Sequence, residues 1–213
     1  MTMIPLFPLN MVLFPGMQLR LHIFEERYKQ MVNECRASGE PFGIVMIEDG
    51  AEVGFSATPH RVGCTAQITQ ISDLPNGNMD IVVVGEERFR IVELFGDRPY
   101  LYGTVEMLPD MPQGETKANT LRHLVISYLD ILQQAADVQF NSSQIPTNPP
   151  TVAYLASMLL QIDDEEKQAL LEIEPIDQLI STLTRLYRRE VTLLDNLVSP
   201  AEILIDGTAF SLN

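Results

Sequence analysis

Apolar and polar positions along the chain follow two different periods, and the change falls near residue 112. Before it, short apolar runs are separated by Gly, Pro and Asn, the pattern of strands and turns. Residues 4–9 and 18–24 read as strands, parted by Phe14-Pro15-Gly16. Residues 25–36 then set Tyr28, Met31, Val32 and Cys35 at helical spacing, and Ser38-Gly39 ends the helix. Residues 42–48 are extended and apolar, and residues 62–71 alternate loosely. Residues 80–84 form a β-branched run of the kind buried on both faces. Asn76-Gly77 lies between these two and marks a hairpin, because both residue types tolerate positive φ. Residues 88–95 and 100–108, joined by Gly96-Asp97-Arg98-Pro99, read as a further pair of strands. Close strand spacing with one inserted helix predicts a mostly antiparallel barrel or sandwich.

Beyond the breaker-rich link at residues 109–114 the chain reads as helix throughout. Leu121, Leu124, Val125, Tyr128, Leu129, Leu132 and Ala136 recur at three- and four-residue spacing, one face of a long amphipathic helix. Asn148 suits an N-cap with Pro149 at the first helical position. Asp163 followed by Glu166 resembles a capping box for a short helix. Pro175 starts a last helix that carries Leu179, Ile180, Leu183, Leu186 and Leu194. The expected class is therefore α+β: a β-rich lobe over residues 1–112, a helical lobe over 113–199, and a tail over 200–213 that holds Ile203-Leu204-Ile205.

Composition narrows what this architecture can do. With 14 Lys and Arg against 29 Asp and Glu, the net charge of −15 repels phosphate backbones and anionic lipid headgroups. Neither a nucleic-acid partner nor a membrane is expected. Cys35 and Cys64 are too few for a disulfide scaffold or a four-Cys zinc site. The first ten residues lack a basic region and are cut by Pro5 and Pro8, so no secretory signal is read and a cytoplasmic location is expected.

Catalytic motifs are missing. No Gly-rich loop ends in Lys-Ser or Lys-Thr, and Lys29, Lys117 and Lys167 follow no phosphate cradle. Gly54-Phe55-Ser56-Ala57-Thr58 lacks the second Gly of a nucleophile elbow. His22, His60 and His123 are scattered, so neither a metal site nor any cofactor is expected. A Cys64–His60 pair is the remaining nucleophile to consider, although nothing marks its thiol as activated.

A more specific signal lies in an ordered series of short motifs. Pro5-Leu6-Phe7-Pro8-Leu9, Val12-Leu13-Phe14-Pro15-Gly16, Leu21-His22-Ile23-Phe24-Glu25 and Arg27-Tyr28 resemble the opening of the Lon protease N-terminal, or substrate-binding, domain. Phe42-Gly43-Ile44-Val45, Val62-Gly63-Cys64-Thr65-Ala66, Arg88-Phe89-Arg90-Ile91 and the helix at residues 163–172 continue the resemblance in the same order. It implies a PUA-like pseudobarrel followed by a helical lobe, without the ATPase and Ser–Lys protease modules of Lon, as in free-standing bacterial members. Fold transfers on such a resemblance more securely than function.

The expected function is a non-catalytic module that binds exposed or unfolded polypeptide or a partner protein. The alternatives are RNA binding, by analogy with PUA-like folds, and a cryptic hydrolase using Cys64 or Ser56. The expected contact surface comprises Met11, Phe14 and Met17 in the breaker-rich loop, with Tyr28 and Met31 on the following helix. Thioethers and an aromatic ring adapt to varied clients, and a groove between the lobes would admit an extended segment. The competing assignment for this region places Phe7, Leu9, Leu13 and Phe14 in the barrel core.

Overall fold

A computed structural model describes residues 1–50, 57–110, 115–136 and 145–198. Its strands are β1 (Thr2–Leu9), β2 (Gln18–Ile23), β3 (Phe42–Asp49), β4 (Thr58–Asp73), β5 (Met79–Phe95) and β6 (Tyr102–Met107). Helix α1 (Glu26–Ser38) lies between β2 and β3, and α2 (Glu115–Ala136), α3 (Pro149–Leu159), α4 (Asp164–Leu171) and α5 (Ile176–Val198) follow the strands. Strand order is β2-β5-β4-β3-β1-β6, and a further β5–β6 pairing closes the last five into a ring with β2 appended outside it. The inserted helix lets β1 run parallel to β3, whereas every other pairing is antiparallel.

Two expected strands are one. Residues 80–84 and 88–95 belong to the single strand β5, whose first half pairs with β2 and whose second half pairs with β6, while β4 follows it along both. The chain turns this corner at Gly85, against which the loop after β1 is pinned. Gly16 N–H donates to the Gly85 carbonyl at 2.8 Å, and Gly85 N–H donates to the Met17 carbonyl at 2.9 Å. A Cβ at position 85 would lie 2.3 Å from the Phe14 carbonyl oxygen, so only glycine lets the two backbones meet. The β4–β5 hairpin forms where expected, with Leu74-Pro75-Asn76-Gly77 as its turn, a 2.9 Å bond from Gly77 N–H to the Leu74 carbonyl, and φ of 78° at Gly77.

Alternation along the strands distributes side chains to three apolar clusters. Ile4, Leu6, Val45, Phe89, Ile91 and Val105 come from strands of the ring and pack on one another. Phe7, Ile23, Met31, Phe42, Ile81 and Val83 belong to a second cluster, which joins the sheet to α1. Val12, Phe14, Met46, Val62 and Leu108 pack in the third with Leu121, Tyr154, Leu171 and Leu183 of the helices. The helices therefore share a core with the strands. Both expected caps are present: Asn148 accepts from Thr151 N–H at 3.2 Å and Asp163 from Glu166 N–H at 2.8 Å. The division expected at residue 112 and the tail at 200–213 lie outside the described residues.

One buried cation ties the two sets of elements together. Arg88 on β5 is 1% exposed. Its Nη1 donates to the Leu171 and Ile173 carbonyls at 2.9 and 2.7 Å, and its Nη2 donates to Asp110 Oδ1 at 2.8 Å. Leu171 ends α4 and Ile173 lies two residues beyond it, so the guanidinium satisfies one carbonyl that the helix end leaves unpaired and one in the segment that follows. Tyr154 of α3 donates to the same Asp110 oxygen at 2.5 Å. Beside it, the buried Gln168 amide of α4 donates to the Val62 carbonyl of β4 at 3.0 Å.

Two substitutions test this account. Gly85→Ala is expected to lower unfolding free energy by about 2 kcal/mol or more, through backbone displacement at the Phe14 turn. Arg88→Met is expected to cost about 3 kcal/mol, because it removes the cation paired with Asp110 and leaves the Leu171 and Ile173 carbonyls without their donor. Urea unfolding followed by circular dichroism measures both, and wild-type midpoints would refute them.

Candidate functional site

The segment from β2 into α1 builds a concave apolar surface. Within β2, Leu19, Leu21 and Ile23 alternate with exposed Gln18, Arg20 and His22, so one face of the strand is apolar and the other polar. Glu25 then caps α1 through its backbone, and its carboxylate holds Arg27 at 3.0 Å. The Arg27 guanidinium sits 4.4 Å from the centre of the Tyr28 ring, which in turn packs at a tilt of 31° on Phe7 with centroids 4.1 Å apart. The result is a pocket of about 270 Å³ lined by Phe7, Leu9, Met11, Leu19, Leu21 and Tyr28 among others. Phe24 is among the lining residues, with 53% of its surface exposed.

The walls are held in place before anything binds. Helix α1 buries Met31, Val32 and Cys35 against the sheet. The Tyr100 hydroxyl donates to the Glu34 carboxylate, and that hydrogen bond holds the carboxyl below its ordinary pKa. Across β2 from the pocket lies a shallow polar groove of about 540 Å³, lined by Gln18, Arg20, His22, Gln70, Ser72 and Asp80 among others. His22 Nδ1 and Asp80 Oδ1 are 2.6 Å apart there. A preformed apolar pocket with a few charged groups in its lining suits capture of apolar side chains more than acid–base chemistry.

Comparison with known proteins places the chain in a family. The family model of the ATP-dependent protease La (LON) substrate-binding domain matches residues 3–189. The chain belongs to the Lon substrate-binding domain family. It is 26% identical over 195 residues to the Lon protease of Porphyromonas gingivalis, covering 87% of this chain and 23% of that protein. It is 27% identical over 204 residues to the Lon protease of Cytophaga hutchinsonii, covering 91% and 25% respectively. The chain thus spans about a quarter of the length of the curated relatives it matches. Among solved structures, a Lon N-terminal domain protein from Xanthomonas campestris superimposes with TM-score 0.65 at 25% identity, over 87% of this chain and 98% of that one. The N-terminal domain of the Mycobacterium avium complex Lon protease shares the fold, with TM-score 0.68 at 18% identity over 88% and 98%.

Within this Lon-family fold, the five residues expected to form a contact surface separate. Met11 and Tyr28 meet in the β2–α1 pocket. Phe14 and Met31 do not: they are 1% and 0% exposed, and each is packed in a core cluster. Tyr28 lines the pocket but is 4% exposed. Met17 is half-buried between the helical core and the α1 core, and its carbonyl is engaged by Gly85. The loop of residues 11–17 is thus anchored, because Pro15-Gly16 forms the turn that docks on β5. Sequence reasoning missed Leu19, Leu21 and the exposed Phe24 as pocket groups, although the apolar–polar alternation of β2 was there to be read.

The nucleophile reading loses its support at Cys64. That thiol is fully buried, donates to the Thr65 carbonyl at 3.4 Å, and is pushed well above its ordinary pKa by desolvation. His60 faces Glu165 and Glu172 at 3.6 and 3.5 Å. Burial, reinforced by Glu34 and Glu40, likewise raises Cys35 to about 11. Ser56 lies outside the described residues. Among the described residues no cluster of His, Cys, Asp and Glu could hold a metal, and no helix is long and apolar enough to cross a membrane.

The place of Met17 between two cores sets an expectation. Met17→Asp should destabilise the fold by about 1–3 kcal/mol, as burying an unpaired carboxylate does. A wild-type melting temperature for this variant would return Met17 to the exposed surface.

Proposed function

We propose that this chain is a non-catalytic module that binds exposed or unfolded polypeptide, with the β2–α1 pocket as its receptor for apolar side chains. The observation that carries the reading is the open apolar pocket walled by Phe7, Met11, Leu21 and Tyr28, with exposed Phe24 also in its lining. Unfolded chains differ from folded ones in presenting such side chains to solvent, so a small fixed hydrophobic receptor discriminates between them. Family membership supports the same reading, since the matched model is named for substrate binding. The net charge of −15 disfavours the RNA alternative, and the buried thiol of Cys64 disfavours the hydrolase.

Fluorescence anisotropy with labelled casein tests the proposal. Casein should bind and remain intact, and Phe24→Asp should weaken binding roughly tenfold, as loss of one contact-surface side chain does. Because Phe24 is exposed, the melting temperature should not move. Absence of casein binding, or ATP-dependent casein loss in a clean sample, would overturn the reading.

A further inference from the structure

We propose that the open edge of β2 receives an extended polypeptide segment as an added strand, with apolar side chains entering the β2–α1 pocket and an acidic side chain opposite Arg20. The inference rests on the reading of this chain as a polypeptide binder and specifies how the segment is held.

β2 stands at one end of the sheet order and pairs only with β5 among the described strands. The bond from Gly85 N–H to the Met17 carbonyl fixes which residues face β5. Since hydrogen-bonded and non-bonded pairs alternate in an antiparallel ladder, Leu19, Leu21 and Ile23 bond to β5. Gln18, Arg20 and His22 therefore turn their backbone N–H and C=O groups outward. Exposed Arg20 is the edge's one charged blunting feature besides its short length. The strand contains neither Pro nor Lys, and its register runs unbroken from Gln18↔Val84 to Ile23↔Met79. A donor–acceptor pair recurring every second residue, about 6.8 Å apart, matches another backbone in β conformation.

Side-chain chemistry fixes what such a segment carries. A residue set opposite Arg20 points to the polar face, and its two neighbours point to the pocket face. The pocket calls for apolar neighbours. Of the ionisable groups lining it, Glu25 is paired with Arg27 and His22 is hydrogen-bonded to Asp80, whereas Arg20 has no ion-pair partner among the described residues. A carboxylate opposite Arg20 completes that set, so the segment reads apolar–acidic–apolar. The overall negative field acts on encounter from a distance, while Arg20 acts on register at contact.

The test uses labelled eight-residue peptides with Leu-Glu-Leu at the centre, measured by anisotropy with the intact chain. Two versions carry backbone N-methyl groups at alternate positions, one set odd and the other even. Strand addition requires one version to lose about tenfold in affinity while the other binds like the parent, because only one set of N–H groups faces β2. Equal behaviour of the two versions overturns strand addition. Arg20→Glu should weaken the Leu-Glu-Leu peptide and strengthen a Leu-Lys-Leu peptide, and absence of that exchange overturns the acidic assignment. Casein binding measured alongside separates the failures: casein bound with the peptides indifferent removes only this inference, and casein unbound removes the polypeptide reading as well. Arg20→Pro deletes an outward N–H without touching the β5 ladder. If it abolished a dimer seen by sedimentation while no peptide bound, the edge would belong to a second copy and the proposal would fall.

Discussion

The arrangement of this molecule depends on the buried guanidinium of Arg88. A cation withdrawn from water is costly unless its donors are satisfied, and here its Nη groups reach acceptors on otherwise separate parts of the chain. Two are the last carbonyl of α4 and the Ile173 carbonyl just beyond it, and the third is Asp110, just past β6. Tyr154 completes the cluster, its phenol pushed above its ordinary pKa first by burial and then by the bond to Asp110. The group thus remains a donor to a carboxylate that is already paired. Gln168 and the exposed Arg90–Glu174 pair reinforce the same junction. Seating of the helices on the strands follows from this polar clamp together with the apolar core around it.

β5 transmits that constraint to the candidate binding surface. Its second half carries Arg88, and its first half is the only described partner of β2. Between them lies Gly85, where the loop following β1 comes down onto the strand. The same loop supplies Phe14 to the helical core and Met11 to the pocket. Packing of the helices and shape of the pocket are therefore coupled through a short stretch of backbone. β2 lies outside the closed ring, and one of its edges pairs with no other described strand.

Much of this was legible in the sequence because it depends on local rules. The switch of hydrophobic period placed the strands before the helices, and Asn148, Asp163 and the residue 74–77 turn announced caps and a hairpin through chemistry acting over a few residues. The ordered motifs, from Pro5-Leu6-Phe7 to Arg88-Phe89-Arg90, indicated the family, and within them Leu21-His22-Ile23-Phe24 already contained part of the pocket. Closure of the sheet, continuity of β5 through Gly85, and the sorting of Met11 and Tyr28 from Phe14, Met17 and Met31 were decided only in three dimensions. A methionine or phenylalanine has the same apolar character in a core and at a binding surface. Which it becomes depends on whether another part of the chain covers it, and those covering contacts come from residues far away in sequence.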